Sequence, residues 1–194
     1  MKRMVFFLLA LMLLALPAAA EFRPEVDYGE RMMAAVQRGD DAAGQLAETQ
    51  RAEKQAALGL CYAPVRYDEL SLLSRIIYAE AGCGWLPMDW KMAVGEVVLN
   101  RMASPEFPDT MREVLEQPGQ YYGKNSAYFN GLRPSPACVE AAWRLLEGAR
   151  VLGEPGVVFQ SNYLLGSGVF REFYDPLLGS TYLCWSSHPE LYRY

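Results

Sequence analysis

The chain has 194 residues, a formal net charge of −5 and a hydrophobic fraction of 52%. This length is sufficient for one domain with a substantial core and an appendage. An acidic balance without a basic cluster argues against nucleic acid as a partner. Because the chain has one histidine, a zinc centre is not expected, and no cofactor motif is visible.

Residues 1–20 have the pattern of a secretory signal peptide. Lys2 and Arg3 precede an apolar run, and small residues then lead to a cleavage site expected before Glu21. An uncleaved membrane anchor is the alternative, but the run is shorter than the ~20 residues that a span needs. The sequence therefore predicts an exported protein, secreted or in the cell envelope, with no membrane segment after signal removal.

Four cysteines lie beyond the predicted signal peptide. An exported protein can hold disulfides, and four cysteines allow three pairings between which the sequence does not decide. We favour Cys83 with Cys184 and Cys61 with Cys138. None of the four has the C-x2-C spacing that is typical of zinc sites.

Residues 21–62 are predicted to form a helical N-terminal arm. Two helices are expected, over 25–38 and 41–58, with a break at Gly39-Asp40 and with Asp40 as the N-cap of the second helix. The apolar positions are sparse, which favours a loosely packed, solvated hairpin. The alternative is an element that binds a protein partner.

The main domain is expected over 63–194. Helices are predicted over 68–81, 89–102, 110–116 and 135–150, and strands over 157–161, 168–174 and 181–185. Helices followed by a small sheet predict an α+β domain, mostly helical with a small antiparallel sheet. Asp89 and Thr110 are the expected N-caps of the second and third of these helices.

Glu80 is the candidate catalytic residue. It continues the apolar stripe of Leu73, Ile76 and Ile77 at helical spacing, and Gly82 then ends the helix. Apolar neighbours and the negative end of the helix dipole both disfavour the anion. The pKa of Glu80 should therefore be raised, as a general acid near neutral pH requires. A solvated glutamate without a role is the alternative.

Four strings of the chain, in order, resemble the cell-wall hydrolase family named for the spore-cortex-lytic enzyme SleB. The string at 77–81 matches the family's Y-A-E-A helix end, and 93–101 is close to its A-V-x-x-V-V-L-N-R helix. The S-P-E-F-P-D-T string at 104–110 and the Q-P-G-Q-Y string at 117–121 follow in the family's order. The resemblance covers residues 68–185.

The resemblance implies a lysozyme-like α+β domain that acts on peptidoglycan glycan strands. It also implies a lytic transglycosylase in which the Y-A-E-A glutamate, here Glu80, is the catalytic acid/base. A muramidase-type hydrolase and a non-catalytic peptidoglycan-binding protein are alternatives. An amidase or peptidase that uses Cys83 and His188 is a further alternative, and it needs a thiolate and a base within reach of each other.

The chain departs from the family directly after Glu80. The family has R-G-E-P there, whereas residues 82–87 read G-C-G-W-L-P, two residues longer, so the family's second glutamate is missing. A hydrolase would need a second carboxylate as a nucleophile or to activate water. A lytic transglycosylase needs none, because the muramyl 6-hydroxyl attacks internally and the same glutamate acts as the base.

The candidate substrate contacts are side chains that can bond hydroxyl or acetamido groups or stack on a sugar face. They are Gln120, Tyr121, Gln160, Asn162, Tyr163 and Glu96. For Gln120 and Tyr121 the alternatives are a turn and a core ring. Glu96 could instead orient a site group or pair with Arg101. Asn100 and Arg101 are expected to be mainly structural, joining their helix to a neighbouring loop.

Overall fold

The computed structural model of the protein describes residues 27–59, 65–121 and 127–192. The predicted signal peptide and Cys61 lie outside these residues. Within the described ranges, no helix has both the length and the apolar character that crossing a membrane requires.

Along the described chain, helices come first and a small sheet follows. The helices are α1 Tyr28–Arg38, α2 Asp41–Ala57, α3 Tyr67–Ala81, α4 Met88–Met102, α5 Met111–Glu116, α6 Ala127–Gly131 and α7 Pro136–Leu146. The strands are β1 Val157–Ser161, β2 Val169–Asp175 and β3 Gly179–Trp185, before a 3₁₀ turn at Pro189–Tyr192. The sheet is antiparallel in the order β1-β3-β2. The predicted α+β fold is confirmed, although α6 was not predicted and α7 ends at Leu146 instead of residue 150.

Side-chain caps begin α2 and α5 where the sequence predicts them. Asp40 accepts a hydrogen bond from the backbone N–H of Ala43 at 3.1 Å, and Thr110 accepts one from Glu113 at 3.3 Å. Each bond satisfies a backbone N–H that has no partner within its helix. These local signals therefore fix the starts of α2 and α5.

The connection between α3 and α4 differs from the prediction at one cap. Pro87 is the N-cap of α4 and makes no side-chain cap bond, so the predicted capping role of Asp89 is wrong. Asp89 lies instead in the first turn, where a carboxylate suits the helix dipole. At the end of α3, a Cβ on Gly82 would lie 2.2 Å from the carbonyl oxygen of Tyr78, so this tight end requires glycine.

α4 lies between the helical core and the sheet. Val94 and Val98 are fully buried in the helical cluster. Ala93 and Val97 belong to a second cluster that contains Leu183 of the central strand. Because both sides of α4 are apolar, burial of this helix joins the two layers of the domain.

The N-terminal arm packs tightly on the main domain. Met32 and Val36 of α1 are buried in the same cluster as α3, α4 and α7. A Cβ on Gly44 of α2 would lie 2.0 Å from the ring of Tyr67, whose hydroxyl donates to Asp41 at 3.0 Å. The expectation of a loosely packed hairpin is therefore wrong, because these contacts depend on residues far along the chain. The domain boundary before α3 and a protein partner for the arm stay predictions.

The three cysteines in the described part of the chain are free thiols, so the favoured pairings are wrong. Cys83 packs against the helical core after α3, whereas Cys184 is fully buried in the central strand. Cys138 is buried at the start of α7, where its sulfur accepts a hydrogen bond from the Ser135 hydroxyl at 3.3 Å. It is therefore not joined to Cys61.

Candidate functional site

Glu80 lies in the last turn of α3 and is open to solvent. Ile76 and Ile77 in the preceding turn are buried, but the apolar face leaves the core before Glu80, so the predicted burial of this residue is wrong. Protein atoms nevertheless surround the carboxyl closely enough that desolvation raises the pKa of Glu80, and the positive charge of Arg101 partly opposes this shift. The direction of the pKa shift agrees with the prediction.

Lys91 of α4 fixes the backbone that follows Glu80. Its side chain is 1% exposed, and its Nζ donates to the carbonyl oxygens of Ala81 at 2.7 Å and Cys83 at 2.8 Å. These carbonyls at the end of α3 have no partner within the helix. A single buried side chain therefore satisfies the helix end and holds the position of the loop that begins there.

Gln160 of β1 reaches Glu80 from the sheet. Its Nε2 donates a long hydrogen bond of 3.4 Å to Oε2 of Glu80. The other end of the amide, Oε1, is buried and has no hydrogen-bond partner. The structure thus brings this predicted contact to the candidate acid.

Arg101 at the end of α4 has a structural role and also reaches the site. Its Nε donates to the carbonyl oxygen of Val158 at 2.6 Å, as expected of a residue that joins α4 to a neighbouring segment. Its Nη1, however, is buried without a hydrogen-bond partner, and the residue is 3% exposed. The guanidinium lies 5.1 Å from the ring centroid of Tyr121, and its charge acts on Glu80. The sequence did not predict this second role.

Tyr121 is a core residue whose hydroxyl faces the same cluster. The residue is 6% exposed, so the prediction that its ring stacks on a sugar is wrong. The hydroxyl oxygen is buried without a partner. Desolvation raises the pKa of Tyr121, Arg101 lowers it, and the charge of Glu80 raises it again. The hydroxyl therefore remains a candidate contact.

Three residues that interact with Glu80, by contact or through its charge, thus carry unpartnered polar groups. They are Nη1 of Arg101, the hydroxyl of Tyr121 and Oε1 of Gln160, and none has a hydrogen-bond partner in the described ranges. Buried polar atoms in folded proteins are nearly always bonded, and an unmade bond costs about 1–3 kcal/mol. The cluster can bond both donors and acceptors of a ligand.

The remaining predicted contacts on loops are not brought to Glu80 by any hydrogen bond in the described chain. Gln120 is exposed, and its backbone N–H donates to the carbonyl of Gln117 at 3.3 Å, which closes a turn. Asn162 and Tyr163 are exposed beyond the end of β1. Their contact with substrate stays a prediction.

Glu96 is not a substrate contact. It is fully buried, and its Oε2 accepts hydrogen bonds from the backbone N–H groups of Val151 at 2.6 Å and Leu152 at 2.9 Å. Its Oε1 accepts from the N–H of Gly153 at 2.8 Å. The carboxylate is occupied in fixing the loop before β1, so it makes neither a sugar contact nor the alternative pairing with Arg101.

Other chemistries find less support in the described residues. No group of three histidine, cysteine or carboxylate side chains there could hold a metal ion. His188 is exposed, with its Nδ1 3.3 Å from Oε1 of Glu190. An amidase or peptidase pair requires a hydrogen bond between the thiol and its base. Within the described chain no hydrogen bond joins His188 to Cys83.

One comparison with known proteins, a family model, supports the resemblance in the centre of the chain. A family model described as Cell Wall Hydrolase matches residues 87–163. No curated protein matches the chain. The crystal structure of the catalytic domain of the Bacillus cereus SleB protein aligns over 63% of this chain and 94% of that chain, with 18% identity and a TM-score of 0.48. The matched segment begins after Glu80. Between residues 87 and 163 the chain resembles the cell-wall hydrolases, as its sequence strings predict.

Proposed function

We propose that the protein cleaves the β-1,4 glycosidic bond between MurNAc and GlcNAc in peptidoglycan, as an exported lytic transglycosylase. The observation that carries the proposal is a glutamic acid with a raised pKa that interacts with Gln160, Arg101 and Tyr121, each of which has a buried polar group without a partner. The match to a cell-wall hydrolase family model supports the cell wall as the target.

Glu80 supplies the proton that the reaction needs. In its neutral form it donates the proton to the bridging oxygen while the bond from that oxygen to the anomeric carbon breaks. Positive charge develops on the muramyl ring. The resulting Glu80 carboxylate then takes the proton of the muramyl 6-hydroxyl, whose oxygen bonds to the anomeric carbon. The product ends in a 1,6-anhydro sugar, and Glu80 is neutral again.

Arg101 suits both halves of this cycle. Desolvation favours the neutral acid before the first step, whereas the Arg101 charge favours the carboxylate that exists between the steps. Because the two effects oppose each other, neither form of Glu80 is strongly trapped. The Tyr121 hydroxyl and Gln160 Oε1 are the groups we assign to bonding the sugar.

The charges near Glu80 favour an internal attack over hydrolysis. The carboxylate of Glu96 is bound to three backbone N–H groups and is not free to act as a second catalytic carboxylate. Within the described residues, Arg101 is the charge that shifts the pKa of Glu80. A retaining hydrolase needs a second carboxylate about 5–5.5 Å from the acid, and such a neighbour would raise that pKa further.

The reaction type can be read from the product ends. The purified protein without residues 1–20 should be incubated with peptidoglycan sacculi and the soluble muropeptides weighed by mass spectrometry. Products that lack one water per cut end support the proposal. Reducing ends would instead make the protein a muramidase-type hydrolase, and binding to sacculi without soluble products would make it a non-catalytic binding protein.

A further inference from the structure

We propose that Trp85 is a sugar-stacking residue that holds a glycan strand beside Glu80. The proposal rests on the proposed function and adds to it a binding surface that neither the sequence strings nor the family match assigns. Trp85 lies in the loop that follows α3, where the sequence departs from the family's R-G-E-P string. Trp85 is therefore part of a loop that the family's string does not contain.

The indole of Trp85 is exposed but held in one orientation. The residue is 60% exposed, and its Nε1 donates a hydrogen bond of 3.0 Å to Oδ2 of Asp175 at the end of β2. Oδ1 of Asp175 accepts from the backbone N–H groups of Leu177 at 2.9 Å and Leu178 at 3.1 Å. The turn between β2 and β3 orients the Asp175 carboxylate, and the bond from Nε1 to this carboxylate in turn orients the indole ring.

The backbone on both sides of Trp85 is also fixed. Lys91 holds the carbonyls of Ala81 and Cys83 on the N-terminal side, and Leu86 on the other side is 5% exposed. A large aromatic face thus points to solvent without the freedom of an ordinary surface side chain. A ligand that stacks on it loses little conformational entropy of the protein.

Trp85 and Glu80 are attached to the same face of the sheet. Gln160, which contacts Glu80, is opposite Leu183, and Leu183 is opposite Arg171. Directly paired residues point to one side, and so does Asp175, which lies four residues beyond Arg171 on β2.

Glu80 and Trp85 contact different strands of the sheet, through Gln160 and Asp175, and a ligand that meets both suits a chain of sugars better than a single ring. The indole offers an apolar face to the C–H groups of a pyranose, while the unpartnered polar groups near Glu80 bond its hydroxyl or acetamido groups. Stacking at Trp85 and proton transfer at Glu80 then act on different sugars of one strand. The occupant we assign is therefore the glycan, not the stem peptide.

The test measures binding in the absence of turnover. The Glu80→Gln protein and its Trp85→Ala derivative are sedimented with peptidoglycan sacculi and with glycan strands from which an amidase has removed the peptides. Loss of one aromatic contact should weaken binding to both materials by roughly two- to tenfold. Trp85→Phe keeps a ring but loses the N–H. Its affinity should lie between those of the Glu80→Gln protein and its Trp85→Ala derivative. Leu46→Ala, another exposed apolar residue on α2, is the control and should bind unchanged.

Two results would overturn the inference. One is unchanged binding of Trp85→Ala to both materials. The other is a loss confined to sacculi, which would assign Trp85 to the peptide. Thermal unfolding of each variant excludes misfolding as the cause of any loss. Because the assay uses inactive protein, its outcome does not depend on whether the chain is a transglycosylase, a hydrolase or a binding protein.

Discussion

Nε2 of Gln160 lies 3.4 Å from Oε2 of Glu80, so a strand of the small sheet touches the last turn of α3. The helical layer and the sheet meet at this contact. Arg101 reaches the same place from α4 and bonds the neighbouring strand residue Val158. The candidate acid therefore depends on both layers of the fold for its surroundings.

Arg101 should set the alkaline limit of activity. Its charge lowers the pKa of Glu80, so Arg101→Met should raise that pKa and move the alkaline limb of the kcat/KM profile to higher pH. Arg101→Lys keeps the charge and should move the limb less. The profile is measured on solubilised peptidoglycan below the unfolding temperature of each variant, because both substitutions remove the Nε that bonds the Val158 carbonyl. An unmoved limb in Arg101→Met would contradict this assignment.

Tyr121→Phe should separate stability from activity. The hydroxyl is buried without a partner, so its removal should leave the free energy of unfolding unchanged or raise it by about 1 kcal/mol. If the hydroxyl bonds the sugar, kcat/KM should fall by roughly two- to tenfold. Denaturant unfolding and initial rates measure the two effects. A loss of stability with no change in kcat/KM would show that the hydroxyl has a structural partner.

Glu96→Ala should destabilise the fold strongly. The change leaves the backbone N–H groups of residues 151–153 without their acceptor, and several such losses cost about 3–5 kcal/mol. Asp89→Ala, at an exposed carboxylate in the first turn of the same helix, is the control and should cost less than about 1 kcal/mol. Urea unfolding compares them. Equal effects would mean that the buried bonds contribute nothing specific.

The stability of the wild-type protein should fall relative to Glu80→Gln as pH rises. A carboxyl with a raised pKa binds its proton more tightly in the folded state than in the unfolded state. Stability is therefore lost from the ordinary glutamate pKa upward until Glu80 has ionised, and it is unaffected below that range. Because Glu80 is exposed to solvent, the difference should stay below about 1 kcal/mol. Paired melts from pH 4 to 8 test the sign, and the opposite trend would mean that the charged form is favoured.

Local patterns in the sequence predict most of the helices and strands. At the site they point to Glu80 and Gln160 but not to Arg101. The caps at Asp40 and Thr110 and the end of α3 depend on neighbouring residues, and they are found as expected. The packing of the arm depends on Tyr67, which bonds Asp41 and Glu48 of α2 from far along the chain, and local patterns contain no information on such a contact. The exposure of Glu80 likewise depends on where the core ends.

A signal for Arg101 was present in the sequence. Val94, Val98 and Arg101 follow one another at i, i+4 and i+7, so the arginine ends an apolar stripe of α4 just as Glu80 ends one of α3. An ionisable residue at the end of a buried stripe indicates a functional site more strongly when two helices each carry one. The opposite charges of this pair make them expected partners.

The role of Glu80 as the proton donor is tested by the rates at which wild-type and Glu80→Gln proteins release soluble muropeptides from sacculi. Glu80→Gln keeps the shape of the side chain and removes the proton that we assign to the bridging oxygen. We expect the variant to fold, to sediment with sacculi as the wild type does, and to release no detectable muropeptides. Release by Glu80→Gln at the wild-type rate would contradict this role of Glu80.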